Sequence, residues 1–331
     1  MKNLIFIFAS FLAVTSQAFS EDLIKYNKEL DGFDYPFEVT TFEFNSQNQD
    51  LKMRYMDVGD KDAEKVVVLL HGKNFSGYYW EKVAQYLLDK NYRVVIPDQV
   101  GFGKSTKPDS YQYSFGQLAL NTKVLLDELN INKAHVVGHS MGGMLATTFS
   151  VNYPNLVDKL ILINPIGLED YGRYAEFKDT NFFYKNELNK TVDKARNYQK
   201  KNYYDGKWSD EYEQLLTPLK GMLSGGDWDI IAWNNALTYG PIFSENIVDR
   251  LSQVKTETFL IIGTRDKTGP GRGWLKPGVN KNLGDYKTLG QEANALIENS
   301  TLIELDGLGH MPQYENYDVF IKAFSKAIDA Q

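Results

Sequence analysis

The sequence predicts an α/β fold built on an open, doubly wound, mostly parallel sheet, and three observations carry that expectation. Short, nearly continuous apolar runs recur along the chain: Val66-Val67-Val68-Leu69-Leu70, Val94-Val95-Ile96, His135-Val136-Val137, Leu160-Ile161-Leu162-Ile163, Phe259-Leu260-Ile261-Ile262 and Leu302-Ile303-Glu304-Leu305. Strands covered on both faces read this way, because neither side of the pleat meets water. Helical periodicity lies between the runs, clearest where Phe115, Leu118, Thr122, Leu125, Leu126 and Leu129 fall on one face at spacings of three and four. The residues with chemical potential collect just after the runs, where sites form in alternating sheets of this kind.

Taken in chain order, the first element is not part of the fold. Met1-Lys2-Asn3, the apolar run Leu4 to Val14 and Ser16-Gln17-Ala18 give the positive charge, short apolar core and small-residue cleavage site of a secretory signal peptide, residues 1–20. The run is shorter than the roughly 20 residues a membrane span needs. The expectation is therefore a periplasmic or secreted protein with no stable membrane insertion after cleavage. The chain has no cysteine, so an oxidising compartment threatens no mispairing. With 43% apolar and 14% aromatic residues it can bury a core without disulfides. Net charge is -7 and no basic stretch stands out, which argues against nucleic acid or anionic membrane surfaces as partners. Of the Asn-x-Ser/Thr triplets at Asn74, Asn189 and Asn299, the first falls beside the candidate site, where a glycan would obstruct a substrate; that favours a bacterial periplasm. Next, Phe37–Asn45 and Leu51–Val58 alternate about Ser46-Gln47-Asn48-Gln49-Asp50, which predicts an antiparallel hairpin at a sheet edge.

Three strand ends then carry the chemistry. His135-Val136-Val137 runs into Gly138-His139-Ser140-Met141-Gly142-Gly143, and the helix-compatible stretch Met144 to Tyr153 follows, ended by Pro154. Glycines on either side of a serine, between a strand and a helix, leave room for the tight turn that exposes a nucleophilic hydroxyl. The helix that starts there aims its first amides at a developing oxyanion, which makes the Met141 N–H a donor. A serine hydroxyl is a weak nucleophile and needs an imidazole base held in one tautomer by an acid. Four histidines are present; His71 and His139 sit inside motifs and His135 begins a strand, leaving His310 in the loop Asp306-Gly307-Leu308-Gly309-His310-Met311-Pro312. Asp266, ending Ile261-Ile262-Gly263-Thr264-Arg265-Asp266, supplies the acid, in the chain order Ser140, Asp266, His310. Asp98 also follows a strand, but its Gly-rich turn reads as structural. No His/Cys/Asp/Glu set has metal-ligand spacing, so neither a metal nor an organic cofactor is expected.

Together, His71-Gly72, Pro97-Asp98-Gln99-Val100-Gly101-Phe102-Gly103-Lys104-Ser105, Gly138-His139-Ser140-Met141-Gly142-Gly143, Gly263-Thr264-Arg265-Asp266 and Gly309-His310 resemble the α/β-hydrolase superfamily, over roughly residues 50 to 328. The resemblance implies an α/β-hydrolase core at 21–165 and 246–331, interrupted by a helical cap at 166–245. It implies that the backbone N–H of Lys73 is the second oxyanion donor. The Lys73 side chain then either adds positive charge near the oxyanion or an acidic substrate, or is simply solvated. His71 is expected to organise its loop. Some members place the acid after the preceding strand, where this chain has Asn164; an amide cannot stabilise an imidazolium as a carboxylate does, so Asp266 is preferred. The cap stretch is rich in aromatics, among them Phe183, Tyr198, Tyr203 and Tyr239, which suggests an apolar or aromatic substrate of small to medium size. Arg173 is a candidate to bind a substrate carboxylate, with a surface salt bridge the favoured reading. The segment Lys267 to Gly290 is longer than in most relatives and is expected to border the active-site entrance.

The activity implied is that of an exported, carboxylesterase-like serine hydrolase acting on a small-molecule substrate by acyl transfer to Ser140. Carbon-carbon bond hydrolysis is the alternative. A proline-iminopeptidase-like aminopeptidase would need Glu169, Asp170, Glu176 or Asp179 to hold the substrate amine. A non-catalytic ligand-binding relative is the alternative from a different class, and an intact Ser, His and Asp set counts against it.

Overall fold

The structure is a computed structural model that describes residues 24–330; the expected signal peptide lies outside the described residues. Eight strands form one sheet: β1 (Val39–Ser46), β2 (Gln49–Val58), β3 (Val66–Leu70), β4 (Arg93–Pro97), β5 (Ala134–His139), β6 (Val157–Ile163), β7 (Glu257–Gly263) and β8 (Ser300–Leu305). Their order is β1-β2-β4-β3-β5-β6-β7-β8. β2 runs antiparallel to both β1 and β4, and every other pairing is parallel. From β3 the chain crosses to β4 on one side and then to β5 on the other. The crevice between the carboxyl ends of β3 and β5 is therefore the switch point at which such sheets bind ligands.

The apolar runs form strands because each face of the sheet has its own core. Val68, Leu70, Val136, Leu160, Leu162, Leu260 and Ile262 face one side, where they meet Phe115, Leu118 and Leu125 of the helix Phe115–Glu128 and Leu145 and Phe149 of the helix Met141–Asn152. Val67, Leu69, Val94, Ile96, Val137, Ile161 and Phe259 face the other, against Val83 and Leu87 of Glu81–Leu88 and Phe320 and Phe324 of Tyr317–Ile328. With successive side chains pointing to opposite faces, two cores demand an unbroken apolar run. β8 departs from this pattern: as the sheet edge it is only partly buried.

The hairpin is tighter than the sequence suggests. Its turn is the pair Gln47-Asn48, with φ of 54° and 58°, rather than five residues, and Ser46 pairs with Gln49. Positive φ at both central residues matches the twist of a two-residue hairpin, and asparagine tolerates it.

Between β6 and β7 the chain folds into helices: Tyr171–Tyr174, Thr180–Leu188, Val192–Asn202, Asp210–Gln214, Thr217–Ser224, Trp228–Leu237, Tyr239–Ser244 and Val248–Leu251. Several starts are written in the sequence as side-chain caps. Asp179 accepts from the Phe182 N–H, Thr191 from Lys194 and Ser209 from Tyr212. The long segment after Asp266 ends earlier than expected, because a helix begins at Tyr286. Its central part docks on the inserted helices: Ala175 bridges to Leu275, the Glu176 N–H donates to the Trp274 carbonyl at 2.9 Å, and the Lys276 N–H to that of Tyr174 at 2.9 Å.

Candidate active site

β5 ends at His139 and a helix starts at Met141, so Ser140 carries the entire reversal; it has φ 57° and ψ -122°, a conformation that costs a non-glycine residue energy. The surroundings hold it there. The Ser140 N–H donates to the Ile163 carbonyl at 3.2 Å, and the Ser140 carbonyl accepts from Gly143 at 2.9 Å and Ile166 at 3.1 Å. The sharp turn presses the elbow against the end of β3. A Cβ at Gly142 would collide with the Leu70 carbonyl oxygen, and one at Gly72 would lie 3.0 Å from the Ser140 Cβ. Glycine at these positions is what lets the two loops touch.

The three side chains expected to act together do meet, and all are buried. The Ser140 hydroxyl lies 2.9 Å from His310 Nε2, and His310 Nδ1 lies 2.6 Å from Asp266 Oδ2. Asp266 is further fixed at both oxygens. Oδ1 accepts from the Thr268 N–H at 2.8 Å and Oδ2 from Asn164 Nδ2 at 2.9 Å. Burial pushes the Asp266 carboxyl up, but the His310 charge and the bonds from His310 and Thr268 outweigh it and hold the group below the ordinary aspartate value.

Asn164 is the residue whose part sequence reasoning missed. It follows β6 with φ 38°, its Oδ1 accepts from the Gly263 N–H at 3.0 Å, and its Nδ2 reaches Asp266. It thereby locks the ends of β6 and β7 together and donates to the carboxylate. The signal was present: an asparagine closing a strand at the place where the resemblance puts the acid in some members.

The two backbone N–H groups expected to face the oxyanion belong to Met141, which opens the helix after Ser140, and to Lys73, which lines the same cavity as Ser140. Among the described residues neither donates to a backbone acceptor outside its own element, and the first amides of a helix have no acceptor within it. The Lys73 side chain is not solvated. It is partly buried, with Nζ donating to the Asn235 carbonyl at 2.7 Å and to Thr238 Oγ1 at 2.8 Å, and lying 4.1 Å from the centre of the Tyr239 ring. Burial lowers its pKa to about 7.

His71 organises its loop as expected: Nε2 accepts from the Gln99 N–H at 3.0 Å while Nδ1 faces the Gly72 carbonyl at 3.0 Å. Asp98 is structural as expected, its carboxylate taken up by the Gly77 N–H at 2.6 Å, the Lys104 N–H at 2.7 Å and the Tyr35 hydroxyl at 2.6 Å. Arg173 forms no ion pair among the described residues; it lies over the Tyr174 ring instead.

A cavity of about 240 Å³ opens above Ser140. Its walls come from the inserted helices through Tyr198, Tyr203, Tyr239 and Phe243, and from the segment after Asp266 through Thr268 to Trp274. That segment thus borders the cavity, as its length suggested. The Tyr203 ring centre is 4.6 Å from that of His310 and shields one face of the imidazole. Phe183 stacks on Tyr239 at 4.3 Å behind the wall, so some of the aromatics line the cavity and others brace it. Of the four carboxylates considered for an amine, none lines it. Glu169 accepts from the Gly284 N–H at 2.7 Å, Asp170 and Asp179 cap helices, and Glu176 pairs with Lys178.

This sheet, with a strained serine at its switch point, defines a hydrolase. The chain belongs to the alpha/beta hydrolase fold family, whose model matches residues 65–317. It is similar to a probable hydrolytic enzyme from Pseudomonas aeruginosa PAO1 of known crystal structure, with 41% identity and a TM-score of 0.89 over 92% of this chain and 98% of that one. It is 28% identical to a 2-hydroxy-6-oxononadienedioate/2-hydroxy-6-oxononatrienedioate hydrolase from Pseudomonas putida, over 82% of this chain and 90% of the relative. An esterase from Exiguobacterium antarcticum shares the fold at 16% identity, with a TM-score of 0.69 over 88% of this chain and 100% of the other.

Proposed function

We propose that the protein is an exported serine hydrolase that works by acyl transfer through Ser140, most directly on carboxylic esters. The observation that carries the reading is the unbroken line from the Ser140 hydroxyl to His310 Nε2 at 2.9 Å and from His310 Nδ1 to Asp266 at 2.6 Å, behind a strained elbow. His310 takes the hydroxyl proton as Ser140 attacks the carbonyl carbon, and Asp266 stabilises the imidazolium that results. The carbonyl oxygen becomes an oxyanion held by the N–H groups of Met141 and Lys73. His310 returns the proton to the leaving alcohol, and water then releases the acid by the same two steps. The aromatic walls suit an acyl or alkyl group of modest size. Export is supported by the order of charge, apolar run and small residues at the N-terminus.

A second reading, hydrolysis of a carbon-carbon bond next to a carbonyl, is favoured by the Pseudomonas putida relative, whose name describes an oxo-dienedioate hydrolase. Among the described residues no aspartate or glutamate lines the cavity, which counts against aminopeptidase action. The test is fluorophosphonate labelling of wild type, Ser140→Ala and His310→Ala, alongside turnover of short and medium p-nitrophenyl esters. Labelling at Ser140 with ester turnover is expected, and loss of a triad member lowers kcat by about 10⁴ to 10⁶. Labelling without ester turnover moves the assignment to carbon-carbon substrates; a folded protein that takes no label overturns both.

A further inference from the structure

Beside the cavity that holds Ser140 lies a second one of about 300 Å³, and the two share Lys73, Asn74 and Tyr198 as a common wall. Four lysines line this second chamber, Lys73, Lys107, Lys190 and Lys194, and no aspartate or glutamate does, in a chain whose net charge is -7. The rest of its lining is largely apolar, with Phe75, Phe102, Leu216, Leu219, Met222 and Trp228 prominent.

Three of the four lysines are held without an ion pair among the described residues. Lys107 Nζ donates to the Gly103 carbonyl at 2.6 Å and the Ser105 carbonyl at 3.1 Å, and Lys194 Nζ to the Asn189 carbonyl at 2.7 Å. Lys73 is held by Asn235 and Thr238. An ammonium has three N–H donors, so Lys73 and Lys107, each with two bonds, keep one to spare. Lys190 pairs with Glu187, but among the described residues Lys73, Lys107 and Lys194 have no carboxylate within 4.0 Å. Solvated lysines at a rim would be unremarked. Lys107 is buried and Lys73 partly buried, while Lys194 stands exposed at the outer wall; withdrawing the first two from water without a paired carboxylate is costly, and an anion entering the chamber offsets that cost.

We propose that this chamber receives a carboxylate carried by the substrate at the far end of an apolar chain, with the scissile carbonyl at Ser140 and the chain passing Lys73, Asn74 and Tyr198. The inference rests on the hydrolase reading for the position of the carbonyl. It goes beyond that reading in the class of substrate: a half-ester or keto acid rather than a neutral ester. The apolar lining takes the chain and the lysines take its end. Lys73 acts twice, through its backbone toward the oxyanion and through its side chain at the passage between the cavities.

The experiment uses Ser140→Ala, which binds without turnover, titrated calorimetrically with monomethyl octanedioate and with dimethyl octanedioate, two ligands alike except for the charge. The monoanion is expected to bind about tenfold tighter, the scale of one hydrogen bond to a charged partner. Lys194→Met on the outer wall and Lys107→Met on the inner one should each reduce that preference, and the exposed Lys255→Met should not. If Lys107→Met fails to fold, Lys194→Met decides. Equal affinity for the two ligands, or a preference that survives the chamber variants, overturns the proposal. An anion preference without fluorophosphonate labelling of the wild type would sink the hydrolase reading and leave the chamber as a binding site. Ester turnover without an anion preference would do the reverse.

Discussion

Replacing Asp266 with asparagine keeps the shape of the side chain and removes its charge, and the structure shows why no orientation of the new amide fits. Oδ1 accepts from the Thr268 N–H, while Oδ2 accepts from Asn164 Nδ2 and faces His310 Nδ1. Every neighbour is a donor. If the amide nitrogen takes the Oδ1 position it opposes the Thr268 N–H; if it takes the Oδ2 position it opposes both Asn164 and the imidazole. In the second orientation His310 relieves the conflict by moving its proton to Nε2, where it can no longer accept from Ser140. In the first, the imidazolium loses its counter-charge. Either way kcat/KM is expected to fall by about 10⁴, or roughly 5 kcal/mol of transition-state stabilisation. The assay is the pH profile of kcat/KM on a p-nitrophenyl ester the wild type turns over, with circular dichroism and thermal melting to establish that the variant is folded. A folded Asp266→Asn enzyme within tenfold of wild type at every pH would refute the assignment of Asp266 as the group that orients the base.

Asn164→Ala removes a donor to a charged group, worth about 1.5–3 kcal/mol, so kcat/KM should drop by roughly 10- to 100-fold. A folded Asn164→Ala enzyme with kcat/KM within a few-fold of wild type would reduce Asn164 to a structural brace. Stability should also fall on acidification. Burial lowers the pKa of His71, that of His135 to about 4 and that of His139 to about 3. The unfolded chain therefore takes up protons below about pH 6.5 that the folded chain refuses. Each histidine adds up to about 1.4 kcal/mol per pH unit of destabilisation as pH falls toward its folded value, and none above pH 7. Urea unfolding between pH 7 and 5 measures the slope; His135→Gln should lower it, and an unchanged slope would show that His135 is not held neutral.

The triad was legible in the sequence because each member follows a strand and is flagged by glycine. Gly138 and Gly142 flank Ser140, Gly263 precedes Asp266 and Gly309 precedes His310, and β5, β7 and β8 announce themselves as apolar runs. Such signals are local, so one chain suffices to read them. What escaped was non-local. That Lys73 would turn its side chain away from solvent depends on the end of the helix Trp228–Leu237, more than 160 residues later in the chain. Asn164 reads as a poor acid until β6 and β7 are seen side by side, when its amide becomes the donor that an acid at that position could not be. The chamber of four lysines draws on residues from Lys73 to Asn235, and no window of sequence gathers them.

The four histidines show how much of the chemistry is environment rather than residue type. His71 has its ring bonded to backbone at both nitrogens, which spends it on loop geometry. His135 lies at the start of β5 beside Asp158, at the opposite end of the strand from Ser140. His139 is adjacent to the nucleophile in sequence, yet its Nε2–H donates to the His310 carbonyl at 2.8 Å and its Nδ1 faces the Tyr79 hydroxyl at 3.0 Å. The Tyr79 oxygen in turn accepts the Gly72 N–H at 3.1 Å. A single chain of hydrogen bonds therefore runs from the loop that carries Gly72 and Lys73, through Tyr79 and His139, to the backbone of the base. With burial keeping His139 uncharged, that chain fixes two loops without competing for the proton from Ser140. His310 is left as the one ring with a carboxylate on one nitrogen and a hydroxyl on the other, and that pair of neighbours is what equips it to move a proton.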